Sequence, residues 1–229
     1  ASLVHDDVVD SSPMRRGAKA VQEVWGNKIA ILVGDYMLSE VIAIINAIRN
    51  LKILHIVADM GASLSMGELL QLHSGNSMWI TEKQYFEIIE HKTACLFSAC
   101  TEAGAESSGG TQRQVSALRE FGRLLGICFQ IKDDVFDFSD SEDLGKPTMN
   151  DICDGKVTLP LIVALSRAPR KEAEEIRTLA ESLTKKEAKD VNDTEQTIKS
   201  FVLRYDGIGY ATRQMQRLRK QAIEVLSIF

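Results

Sequence analysis

The stretch IAILVGDYMLSEVIAIINAI, Ile29 to Ile48, places apolar side chains at Ile29, Leu32, Val33, Tyr36, Met37, Val41, Ile44, Ile45 and Ile48. These are steps of three and four with no alternation in twos, which is the spacing of one helical face. Its β-branched residues favour strand locally, but a period sustained over this length outweighs propensity. The same spacing recurs from Leu51 to Leu72, from Gln84 to Ala103, and through Val115, Leu118, Phe121, Leu125 and Cys128 towards Phe138. Pro13, Pro147, Pro160 and Pro169 fall where helices begin or end, and Ser107, Ser108, Gly109 and Gly110 form a connecting loop. From Arg170 to Asp193 charges alternate in sign, as on solvated outer helices and a loop. The expected fold is all-α, a large helical bundle around a central cavity, with residues 1–229 as a single domain.

Composition narrows the function classes. A hydrophobic content of 45% suffices for a full core without disulfides or metal staples. Cys95, Cys100, Cys128 and Cys153 show no C-x-x-C pairing and read as buried, reduced thiols, which suits a cytoplasmic location. A formal net charge of -5 argues against nucleic-acid binding and leaves room for cations. Lys28, Asp35, Glu40 and Asn46 interrupt the longest apolar stretch, so no transmembrane segment is expected. No signal peptide is expected either.

Two segments share a rare pattern. His5, Asp6, Asp7, Val8, Val9, Asp10 and Lys132, Asp133, Asp134, Val135, Phe136, Asp137 both contain D-D-x-x-D. One such match reads readily as a solvated acidic helix end, but the pair is far stronger evidence than either alone. On a helix Asp6 with Asp10, and Asp133 with Asp137, share a face about 6 Å apart along the axis. Like charges held together call for a hard divalent cation, magnesium above all, bridging carboxylate oxygens to a diphosphate. Each acidic segment runs into cations: Arg15, Arg16 and Gly17 after the first, Gly145, Lys146 and Pro147 after the second. Arginine forks and lysine point charges suit phosphate oxygens. Lys92 lies on the apolar stripe of Tyr85, Ile88, Ile89, Cys95, Leu96 and Ala99, where an inward ammonium needs a partner that a bound diphosphate would supply. Gln130 and Lys156 are further polar neighbours.

At these residues the chain resembles the trans-isoprenyl diphosphate synthase family, in its long-chain, octaprenyl-type branch, nearly from Ala1 to Phe229. The acidic segments, the Lys92, Thr93, Ala94 triplet, the Gly145, Lys146, Pro147 turn and Lys156 to Pro160 occur in family order. The resemblance implies a prenyltransferase that condenses an allylic diphosphate, farnesyl diphosphate, with successive isopentenyl diphosphates. It implies that Asp6, Asp10 and Asp133 ligate about three magnesium ions on the allylic diphosphate, with Asp7, Asp134 and Asp137 in a second rank. Arg15, Lys92 and Lys146 would hold the diphosphate oxygens, and Arg16 would face isopentenyl diphosphate. Thr93, Gln130 and Lys156, with Lys92, would serve the reacting carbons. The resemblance also implies a homodimer and peripheral membrane contact for product release. Family members set product length one helical turn before the first motif; small Ala1 and Ser2 there imply an open tunnel and a long product. The family's upstream basic segment has no counterpart before Ala1 and the last helix stops early, so N-terminal helices and the extreme C-terminus are expected to lie outside this sequence.

Rival readings fit less well. An HD-type phosphohydrolase needs paired histidines, and His55, His73 and His91 are not paired. An EF-hand over Asp140 to Asp151 lacks its terminal glutamate. A terpene cyclase would carry a mixed Asn, Ser and Glu second motif, and a non-catalytic subunit of a heteromeric synthase would tend to lose the acidic pair. A shorter-chain synthase differs only in the tunnel.

Overall fold

The computed structural model describes residues 1–74, 80–138 and 149–229, in two compact units, Ala1–Ala58 and Asp59–Phe229. In the first unit, α1 (Ser2–Val9) leads into a two-stranded ribbon, β1 (Met14–Arg15) against β2 (Ala18–Lys19), with Met14 opposite Lys19 and Arg15 opposite Ala18. Arg16 and Gly17 form its corner with φ of 51° and 81°. Two consecutive left-handed residues make a type I′ turn, whose twist suits a tight hairpin and whose second place favours glycine. This small β element lies outside the all-α expectation, because four residues are too few to carry a period. α2 (Val21–Trp25) and α3 (Asn27–Ile48) follow, and α1 packs on α3 through His5, whose Nε2 lies 3.1 Å from the Ile31 carbonyl and 3.3 Å from Asp35 Oδ1. Arg49, at φ 54°, ends α3, and Asn50 Oδ1 caps α4 (Leu51–Ser74) by accepting from the N–H groups of Lys52 and Ile53.

In the second unit α5 (Glu82–Ile89) and α7 (Gln112–Asp137) each open on a reciprocal cap, Thr81 with Gln84 and Thr111 with Gln114. Between α5 and α6 (Cys95–Ser107) the chain makes a π turn over Glu90–Ala94, so the helix expected from Gln84 to Ala103 is interrupted where Lys92 and Thr93 sit. α8 (Asn150–Cys153), α9 (Leu159–Arg167), α10 (Arg170–Thr184), α11 (Val191–Arg204) and α12 (Gly207–Val225) complete the unit. α9 is buried from Leu159 through Leu165, apolar all round as a central helix must be. Its neighbours Ile127, Ile131, Met149, Ile152, Ile176, Ile198, Phe201 and Val202 form the core with it. Pro160 enters α9 in its first turn and Pro169 caps α10, where a missing N–H costs nothing.

Two sequence-based expectations need correction here. Cys100 is exposed and Cys95, Cys128 and Cys153 are only half-buried, although all four cysteines are free thiols. By length and composition alone α3 and α4 are both apolar enough to cross a bilayer, because Asp35 and Glu40 interrupt the run in α3 yet leave its mean hydropathy at 1.7. A soluble protein's core helix passes the same test.

Candidate active site

In the first unit the N–H of Asp10, the residue that closes α1, donates to the Asp6 carbonyl at 2.8 Å, so Asp6 and Asp10 lie one turn apart on one face. Asp6 is half-buried and Asp10 exposed. Asp7, about 100° further round the helix, is 4% exposed. A buried carboxylate needs donors or a counter-charge, and Arg15 brings both. Its Nε donates to Asp7 Oδ1 at 2.9 Å and its Nη2 donates to the same oxygen. That bond is the main reason the Arg15 guanidinium is held above its ordinary pKa, with the charges of Asp6 and Asp10 adding to it. Gln22 Nε2 donates to the carbonyls of Asp7, at 2.9 Å, and Ser12, at 2.5 Å, and so fixes the loop between them. Arg15, expected on diphosphate oxygens, thus has its fork on Asp7, while Arg16 stands exposed at the hairpin corner. Ser2 is exposed and Ala1 half-buried, at the start of α1.

The second unit repeats the arrangement with different partners. Asp133 is exposed, and Asp137, the last residue of α7, accepts from the Asp151 N–H at 3.3 Å. Asp134 is 1% exposed. It accepts from the Tyr85 hydroxyl at 2.5 Å on one oxygen, from Gln130 Nε2 at 3.0 Å on the other, and from the Leu159 backbone N–H. Burial pushes its pKa up to about 6, against the pull of Gln130 and Tyr85. Asp151 is pushed up to about 7, first by burial and then by Asp137 and Asp134, with Lys156 opposing. In both segments, then, the middle aspartate is locked inward. This departs from the second rank of metal ligands in which Asp7 and Asp134 were expected.

The remaining expected residues fall as follows. The π turn brings Thr93 Oγ1 to Gln130 Oε1 at 2.8 Å. π turns occur often at functional sites because the extra residue re-aims side chains. Lys92 does have the partner its position demands, but that partner is Glu68 on α4, with Nζ to Oε2 at 2.6 Å. Lys156 Nζ lies 3.8 Å from Asp154. Lys146 and the Gly145, Pro147 turn lie outside the described residues. Tyr85, Glu68 and Asp151 escaped the sequence reading. Tyr85 looked like one more apolar-stripe residue, and only its place one helical face from Lys92 could have raised it.

Among the described residues no three His, Cys, Asp or Glu side chains converge into a closed metal cage. Magnesium seldom needs one, since it is commonly held by one or two carboxylates with substrate phosphates and water. Two outer carboxylates per segment fit that donor set, and in the second segment Asp151, raised first by burial and then by Asp137 and Asp134, stands beside them.

The comparisons with known proteins agree. The Polyprenyl synthetase family model matches residues 1–200. Octaprenyl diphosphate synthase of Haemophilus influenzae is 36% identical over 229 residues, covering 100% of this chain and 68% of that protein. A short chain isoprenyl diphosphate synthase of Methanothermobacter thermautotrophicus is 37% identical, covering 98% of this chain and 70% of its own length. Among solved structures, a polyprenyl synthase of Caulobacter crescentus complexed with calcium and isoprenyl diphosphate superposes with a TM-score of 0.86 at 32% identity, over 100% of this chain and 68% of that one. With the duplicated acidic segments in place and the family model matching most of its length, the chain belongs to the polyprenyl synthetase family and is a prenyltransferase, a trans-prenyl diphosphate synthase.

Proposed function

We propose that this protein is a magnesium-dependent long-chain synthase that extends farnesyl diphosphate with isopentenyl diphosphates to a product of the octaprenyl class. The observation that carries the reading is the duplicated geometry, in which an inner aspartate is buried and locked by hydrogen bonds and two outer, less buried ones lie one turn apart. Asp6 and Asp10 from one segment and Asp133 from the other would hold the cations and, through them, the allylic diphosphate. Magnesium, about three ions of it, would supply Lewis-acid relief of the charge on the leaving diphosphate. Lys92, Lys146 and Arg15 add positive charge for the same oxygens, Lys92 by exchanging Glu68 for phosphate and Arg15 through what its field contributes beyond Asp7. Arg16 faces isopentenyl diphosphate. As the allylic carbon–oxygen bond breaks, Thr93 and Gln130 present dipoles to the positive carbon, and Lys156 closes over the phosphate. The isopentenyl double bond attacks, and the departing diphosphate takes the proton lost from the new chain. Exclusion of water keeps the cation from being quenched.

Long products follow from the small residues at the head of α1. Ser2 lies one turn, about 6 Å, from Asp6 on nearly the same face, so a growing chain passes it early. The relatives include both octaprenyl and short-chain enzymes, so the tunnel decides between them. Incubating the full-length protein with farnesyl diphosphate, labelled isopentenyl diphosphate and magnesium is expected to give long products. Ser2→Phe is expected to shorten them while the first condensation keeps its rate, because an added ring cannot be absorbed by a packed wall. An unchanged product distribution would remove Ala1 and Ser2 from the tunnel.

The protein works as a cytoplasmic homodimer in this reading. Four free cysteines suit a reducing compartment. The large apolar side chains that α3 exposes, Leu32 at 66% and Tyr36 at 67% among them, need a cover that a second copy offers. Light scattering of the full-length protein at micromolar concentration should give twice the monomer mass, and a monomer there counts against the dimer. Membrane contact during product release is the remaining partner in this proposal.

A further inference from the structure

Tyr85 lies in the core of the second unit, 4% exposed, and its hydroxyl is the one polar atom it brings there. That hydroxyl donates to Asp134 Oδ2 at 2.5 Å. Gln130 Nε2 donates to Asp134 Oδ1 at 3.0 Å, and the Leu159 N–H donates to the same carboxylate. Three donors converge on Asp134, so it acts wholly as an acceptor. The orientation of the Gln130 amide follows: its NH₂ faces Asp134 and its oxygen must face the other way. At the other end stands Thr93, whose hydroxyl donates to Gln130 Oε1 at 2.8 Å. A hydroxyl has one proton and two lone pairs, and here the proton is already committed to Gln130. What Thr93 offers any group beside it is therefore lone pairs, the negative end of its dipole.

We infer that Tyr85 is a positioning residue that sets the polarity of the Thr93 hydroxyl, through Asp134 and Gln130, so that the hydroxyl oxygen faces the positive carbon formed when the allylic diphosphate ionises. This deepens the proposed function and rests on it. The relay spans three elements, α5, the π turn and α7. Were the Gln130 amide to turn by a half rotation, its NH₂ would face Thr93, the Thr93 proton would point outward, and the same residue would oppose the developing charge. Preorganised dipoles of this kind act on the transition state and leave ground-state binding nearly untouched.

The test is a double-mutant cycle on the full-length enzyme, reading single-turnover condensation of farnesyl and isopentenyl diphosphates. Tyr85→Phe removes one oxygen and keeps the ring in the core; it is expected to lower kcat about ten-fold with the KM of both diphosphates unchanged. Thr93→Val keeps the shape without the hydroxyl and is expected to lower kcat further. In the Thr93→Val background Tyr85→Phe should then cost nothing more, because the hydroxyl whose polarity it governs is gone. Losses that multiply would show Tyr85 acting through general packing and would overturn the inference, as would a Tyr85→Phe enzyme of normal kcat. If Tyr85→Phe does not fold, Asp134→Asn run through the same cycle reads the same coupling, since an amide leaves three donors facing one acceptor oxygen. Absence of any transfer by the wild type overturns the proposed function itself, whereas an active wild type with uncoupled variants overturns only the relay.

Discussion

Asp133→Asn is expected to lower turnover by on the order of 10³-fold while the protein stays folded. The two halves of that expectation come from the same observation. Asp133 is exposed at the end of α7 and takes no part in the hydrogen bonds that lock Asp134 beneath it, so an isosteric amide leaves the helix and its core face as they were. What the amide lacks is charge. A neutral oxygen binds a hard divalent cation far more weakly than a carboxylate does, and the negative charge growing on the leaving diphosphate then goes uncompensated. The loss should fall on kcat and on the magnesium concentration needed for half-maximal rate, with circular dichroism unchanged. Asp6→Asn in the first unit should behave alike, since Asp6 has the same outer place relative to Asp7. Near-normal turnover in either variant would falsify the metal assignment.

Gly126→Ala is expected to destabilise the second unit and to depress turnover with it. A Cβ built at Gly126 would stand 2.6 Å from the Ala94 Cα, which is backbone and cannot swing aside, and 3.1 Å from Phe97 Cδ2. One turn earlier a Cβ on Gly122 would meet the Phe97 carbonyl oxygen at 2.5 Å. α7 therefore approaches α6 and the π turn closely along a strip with no side chains. Alanine is worth about 1 kcal/mol more than glycine inside a helix, but forcing two packed helices apart costs about 3 kcal/mol, so destabilisation wins. Function should suffer beyond stability, because Ala94 follows Thr93 directly and any retreat of the π turn lengthens the 2.8 Å bond from Thr93 to Gln130. Urea unfolding should show a lower midpoint at unchanged slope, and turnover should stay depressed at temperatures where the variant is folded. An unchanged midpoint would mean that the strip is looser than its distances.

Much of this was legible beforehand. Periodicity alone brought out α3 and α7 almost to their ends, since burying one face of a helix demands apolar residues at every third and fourth place. The D-D-x-x-D pair was legible for an equally local reason: residues one and four apart on a helix have a fixed geometric relation wherever the helix goes. The same locality predicted paired carboxylates one turn apart on one face, and Asp6 with Asp10 and Asp133 with Asp137 have that relation. The connection at Ser108 to Gly110 and Pro160 and Pro169 at helix starts belong with them.

The division of labour within each motif was not legible, because it depends on partners far away in sequence. Asp7 and Asp134 are identical in pattern, yet one is held by Arg15 and the other by Tyr85, 49 positions away. The π turn was invisible because the extra residue leaves no mark on composition, and its position is decided by what α7 packs against it. Lys92 shows the limit most plainly. The apolar stripe around it established that the ammonium needed a counter-charge, since burying one alone is too costly. Which group would answer, Glu68 of α4 at 2.6 Å, could be settled only by how the elements carrying the two residues pack. Sequence by itself thus determined helices, acidic faces and family, all properties of residues within a turn of one another. Tertiary structure alone decided which charges are locked and which are presented, because a buried polar group takes its partner from whatever element is packed against it.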